Sequence, residues 1–201
     1  MFSTEGFLYR TCVWIYHFTL LNILFLITCI PIITLFPSLA AAFGVSRQWI
    51  KKNDPPIIST YFKIFRENFR QSMIVGIFII IFGLLLYVDF QITTQIHSNL
   101  RIALYLFFCI MMVFYIAAIL HVFPLMVNGY YTNKQLLMNA VKFSFYKFHI
   151  TLLNMICIYM IFFIAYKFPV IFVFFFSSIC LFLTYWHINK KFIILEALEK
   201  N

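Results

Sequence analysis

The stretch TLFPSLAAAFGVSRQWIKK, residues 34–52, decides how this chain is read. An apolar run closes in Phe36-Pro37. A basic, amphipathic segment carrying Arg47, Trp49 and Lys51 follows it. The same transition returns at Phe123-Pro124, which closes a second run and leads into YYTNKQLLMNAVKFSFYKFH, residues 130–149. Two membrane-length runs that each end at a basic segment describe a chain of spans with one cationic face.

Composition agrees with that class. Of 201 residues, 64% are hydrophobic and 10% charged, and Phe occurs 28 times. Soluble domains are about half apolar and about a quarter charged. Several runs approach the roughly 20 residues that a helix needs to cross a bilayer core. The expectation is an all-α integral membrane protein forming a single membrane domain over 1–201, because no polar segment is long enough to build a soluble core. Met1 to Tyr9 carries Glu5 in place of a basic cluster, and no small-residue cleavage site follows the first run. The first span is therefore expected to be retained.

Five spans are expected, at about 18–36, 73–90, 102–122, 150–166 and 169–188. Lys167 and Pro169 divide the last long run into a helical hairpin, since Pro favours the first turn of a new helix and a central Lys would cost about 2.5–3.5 kcal/mol in the bilayer. Between spans, interfacial amphipathic helices are expected at about 38–52, 57–71 and 133–147. In the second of these, Tyr61, Phe65 and Phe69 recur at helical spacing while Lys63, Arg66, Glu67 and Arg70 fall between them. Such a helix lies in the headgroup plane with its apolar stripe inward. Trp49 is placed as an interfacial anchor.

Basic residues set the orientation. With five spans, Arg10, Arg101 and Lys167 share one face, and the other twelve of the fifteen Lys and Arg share the opposite one. Cytoplasmic loops carry the Lys and Arg excess. The chain is therefore expected in the plasma membrane, N-terminus outside and C-terminus cytoplasmic. The net charge of +9 is then explained by anionic headgroups, and no nucleic acid partner is implied.

The Phe-Pro junctions suggest an internal repeat. YFKIFRENFRQS (61–72) aligns with AVKFSFYKFHIT (140–151) at an offset of 79, matching Lys63 with Lys142 and Phe69 with Phe148. Two spans separate the copies, so the repeat would be parallel.

Chemistry is sparse. Five cysteines show no paired spacing and five histidines no metal spacing, so neither a disulfide framework nor a metal site is expected. No cofactor motif occurs. None of the six acids lies centrally in an expected span, which argues against a proton-coupled carrier. Asn22, Asn154, Ser177, Ser178 and Thr184 read first as helix-packing groups, and His121 as a satisfied interfacial histidine. Alternatively, Asn22, His121, Asn154 and Thr184 line a permease-like substrate path. Gly76 and Gly83 offer a smooth seam to a neighbouring helix. No catalytic residues are expected. The remaining surface for function is cytoplasmic: Arg47, Trp49, Lys51, Lys63, Arg66, Arg70, Lys142 and Lys147, facing a partner or anionic lipid.

The segment TLFPSLAAAFGVSRQWIKK with YFKIFRENFRQSMIVG, and the later HVFPLMVNGYYTNKQLLMNAVKFSFYKFHITLL, resemble the YesL family of bacterial integral membrane proteins over about residues 7 to 190. MVNGYY departs from that family's second block. The resemblance implies a Gram-positive membrane protein of uncharacterised function, encoded near sugar-import ABC systems and sensor kinases. Together these readings give the expectation of a non-enzymatic accessory protein in carbohydrate uptake. Its partners would be the lipid bilayer and subunits of a carbohydrate ABC transporter or a membrane sensor kinase.

Overall fold

A computed structural model describes residues 6–53, 55–95 and 100–199. All regular structure among them is helical: α1 (Phe7–Cys29), a short 3-10 turn (Ile32–Thr34), α2 (Leu35–Ile50), α3 (Ile57–Thr94), α4 (Leu100–Asn128), α5 (Asn133–Phe145), α6 (Phe148–Lys167) and α7 (Pro169–Glu199). Five stretches are long and apolar enough to cross a membrane: Leu8–Cys29, Ile57–Thr94, Arg101–Asn128, Phe148–Lys167 and Phe172–Leu195. The protein is an all-helical, multi-pass membrane protein.

The first span lies earlier than its apolar run suggests. Pro31 lacks the N–H that would continue α1, and the chain tightens into a 3-10 turn closed by Thr34 N–H donating to Pro31 O at 2.9 Å. Phe36-Pro37 therefore opens α2 instead of closing α1. Pro37 sits in the first helical turn, where a missing N–H costs little. At the second junction Pro124 is inside α4, which runs on to Asn128.

α2 doubles back along α1. Near its C-terminal end Trp49 lies 5.9 Å from Trp14, 5.5 Å from His17 and 5.7 Å from Phe18, ring to ring. Near its start the Tyr61 hydroxyl joins Thr28 Oγ1 at 2.7 Å to Ser38 O at 3.4 Å. Ala40, Ala41, Ala42 and Val45 are fully buried, so α2 is a central element of the fold and not a surface amphipath. The small alanines let the neighbouring helices approach closely. Trp49, only 7% exposed, is a core anchor and not an interfacial one.

α3 is one unbroken helix of 38 residues. The expected interfacial helix at 57–71 and the span at 73–90 are its two halves, because no Gly or Pro interrupts residues 57–75. At about 1.5 Å per residue it is roughly 57 Å long, against about 30 Å of hydrocarbon, so its first turns project past the bilayer core. α7 likewise continues beyond residue 188, through a sequence without breakers.

Gly76 and Gly83 serve contacts within the chain. A Cβ on Gly76 would run into the Phe36 ring, and one on Gly83 into the Tyr115 hydroxyl. Tyr115 in turn donates to Ile79 O at 2.8 Å, pinning α4 to α3. The two Phe-Pro motifs meet directly, with Phe36 and Phe123 stacked at 6.1 Å and 11° between ring planes. The aligned segments differ in conformation, however. Residues 61–72 are continuous helix, whereas 140–151 contain the α5–α6 break, where Lys147 has φ 49°. α1–α2 also folds back where α4 runs straight, so the repeat does not extend to the three-dimensional fold.

Candidate functional site

Two polar centres stand out, one open and one buried. The open one is a groove of about 850 Å³ between the C-terminal half of α2, the first turns of α3 and the end of α4. Arg47 and Gln48 line one wall, Lys63, Glu67, Asn68 and Gln71 another, and Asn128 and Tyr130 the third. The size falls within the roughly 300–1,000 Å³ of small-molecule sites.

Local bonds hold this lining in place. Gln71 Nε2 donates to Tyr131 O at 2.6 Å, tying α3 to the α4–α5 connection. Asn53 Nδ2 donates to Gln48 Oε1 at 2.8 Å, and Asn68 Nδ2 to Ile64 O at 3.0 Å. Tyr185 of α7 lies beside Arg47 and donates to Asn128 Oδ1 at 3.2 Å. The Arg47 Nε is buried with no hydrogen-bond partner. A buried donor left unpaired costs about 1–3 kcal/mol.

The buried centre is Lys191, fully enclosed between four helices. Its Nζ makes three contacts: Thr151 Oγ1 on α6 at 2.7 Å, Phe143 O on α5 at 2.8 Å and His121 Nε2 on α4 at 3.0 Å. An ammonium has three N–H donors, and these acceptors match them in number. His121 Nδ1 lies 2.7 Å from Ala117 O, so it carries the ring proton and leaves Nε2 free to accept from the lysine. Phe143 O belongs to the last turn of α5, where carbonyls lack helical partners and a cation is favoured. Thr151 Oγ1 also donates to Ser144 O at 3.3 Å. Lys191 and Thr151 therefore stabilise the α5–α6 break, which no Gly or Pro produces. One turn away, His187 Nδ1 meets Asn154 Oδ1 at 3.2 Å.

The expected site residues divide accordingly. Arg47 and Lys63 come together in the groove, while Lys51, Arg66, Arg70, Lys142 and Lys147 are exposed beside it or elsewhere. Asn22, His121, Asn154 and Thr184 are all buried, and none lines the polar groove or the apolar cavity between α3, α4 and α5. Asn22 stitches α1 to α7, donating to Val173 O at 2.6 Å and accepting from Ser178 N–H at 3.2 Å. His121 serves Lys191. Among the described residues, no three His, Cys, Asp or Glu side chains gather as a metal site would require. Lys191 itself escaped the sequence reading, which ended the last span at residue 188. The available signal was phase: Thr184, His187, Ile188 and Lys191 share one helical face once α7 is extended.

The groove's α2 and α3 walls fall inside a recognisable domain. Residues 18–90 match the family described as a protein of unknown function, DUF624. Two Bacillus subtilis (strain 168) proteins are similar. The uncharacterised protein YesL is 30% identical over 126 residues, covering 61% of this chain and 59% of YesL. The uncharacterised protein YteU is 26% identical over 202 residues, covering 98% of this chain and 88% of YteU. The chain is similar to these two proteins, and its first Phe-Pro segment lies within the matched residues 18–90. No solved structure matches it.

Proposed function

We propose that the protein is a non-catalytic membrane accessory protein that meets a cytoplasmic partner at its basic end. The observation that carries this reading is the groove, a firmly built concave surface with Arg47 and Lys63 on facing walls and exposed Lys51, Arg66 and Arg70 around it. The resemblance to YesL-like proteins adds the context: subunits of a carbohydrate ABC importer or a membrane sensor kinase are the partners to look for. The permease-like alternative draws no support from Asn22, His121, Asn154 and Thr184: all four are buried away from the groove, and the first three bond to neighbouring side chains or backbone.

In this reading the basic end faces the cytoplasm. The expected outward start of α1 is revised. Trp49 packs on Trp14, so Arg10 and Lys51 lie at the same end of the α1–α2 pair. Asn22 meets Val173 and Ser178 while Phe18 meets Phe182, so α7 runs antiparallel to α1 and carries Lys190 to that end too. Among the described basic residues, only Arg101 and Lys167 are left at the other end. The α1–α2 turn fits a bilayer setting, since Ile30, Ile32 and Ile33 are 77%, 86% and 68% exposed there. Affinity purification of the full chain from its host in mild detergent checks the partner claim. Recovery of an importer or kinase subunit, reduced by Lys63→Glu with Arg66→Glu, is expected. Equal recovery with the charge-reversed chain contradicts the docking surface.

A further inference from the structure

We infer that the groove between α2, α3 and α4 is a phosphate-binding site in which Arg47 is the principal ligand. This goes beyond the docking reading and needs no protein partner. The groove is concave, and its cationic groups come from two separate helices, Arg47 from α2 and Lys63 from α3. Most of its amides already have assigned tasks: Gln71, Asn68 and Asn53 each donate within the protein. The charged groups on the lining are two cations, Arg47 and Lys63, and one acid, Glu67. Arg47 is half-buried, and its guanidinium lies beside the Tyr185 hydroxyl. Tyr185 is itself anchored on Asn128.

An arginine on the wall of a groove offers the planar fork by which guanidinium groups bind phosphate oxygens. Lys63 adds a second positive charge from the opposite wall. Glu67, on the same wall as Lys63, is exposed, so water screens its charge. The two cations outnumber it on the lining, which favours an anion over a cation or an apolar guest. The groove's position, at the projecting end of α3, admits two sources of the same chemistry: the headgroup of an anionic phospholipid and a soluble phosphate compound.

The test uses the full chain purified in an uncharged detergent. Inorganic phosphate and a short-chain phosphatidylglycerol are titrated separately while the thermal unfolding midpoint is followed, with sodium chloride at matched ionic strength as control. A ligand that binds only the folded protein raises the midpoint. Stabilisation by the lipid alone assigns the site to a headgroup, by phosphate alone to a solute, and by both to the shared group. Arg47→Gln and Lys63→Gln are each expected to weaken binding about tenfold or more, as loss of a charge-assisted bond does. Lys142→Gln, away from the groove, is expected to leave it unchanged. Because Arg47 is half-buried, Lys63→Gln decides the matter if Arg47→Gln fails to fold. Stabilisation by neither probe beyond the salt control, or wild-type affinity in Lys63→Gln, overturns the proposal.

Discussion

Lys191 holds its charge in a place where no carboxylate is carried by α4, α5 or α6. Three neutral acceptors and the end of α5 do the work of a counter-ion. Removing the amine leaves Phe143 O and His121 Nε2 without their partner, each orphan costing about 1–3 kcal/mol. Lys191→Ala is therefore expected to destabilise the fold by about 2–4 kcal/mol. Lys190→Ala loses only a cation–π contact at 3.5 Å from the Trp186 ring, about 1 kcal/mol. Equilibrium unfolding of the two variants in detergent separates these cases, and equal effects would contradict the lock. In the sequence Lys190 and Lys191 look alike, because burial depends on whether α7 stops at residue 188, and no local residue stops it. Arg47 was legible as a basic residue beside a span. Its unpaired Nε was not, since burial of that atom depends on which helices pack around α2.

At the scale of elements, periodicity and length made the helices legible, but their ends were less so. α3 swallows an expected boundary because an amphipathic stretch and a span can share one helix axis. α2 was legible as a helix and misplaced in space. Its Ala-rich face suits a tight helix contact as well as a membrane surface, and only its neighbours tell the two apart. The seam at Gly76 makes the α2–α3 contact testable. Gly76→Ala would place a methyl group against the Phe36 ring. That ring is braced by Phe123 and has little room to yield. A loss of about 1–3 kcal/mol is expected, as for other overpacked sites, and the double variant with Phe36→Leu is expected to recover part of it. Unfolding indistinguishable from the parent chain would show that α2 does not pack against α3 in this way.

For the molecule as a whole, charge and packing converge on one polarity. The loop between α2 and α3 and the connection between α4 and α5 lie at one end, linked by the groove that residues of both line. The α6–α7 turn at Phe168 lies at the other. Counting apolar runs placed α1 correctly as a span. It missed the return of α2, because a 16-residue helix rich in Ala does not resemble a crossing element. That return changes the parity of the chain and brings Arg10 to the basic end. The most direct test of the account is labelling of single cysteines at positions 10, 52 and 167, in a chain otherwise free of cysteine, with a membrane-impermeant thiol reagent on intact cells and on inverted vesicles. Positions 10 and 52 are expected to react only in inverted vesicles and position 167 only in intact cells. Reaction of position 52 in intact cells would contradict the central claim that the grooved, basic end of the protein faces the cytoplasm.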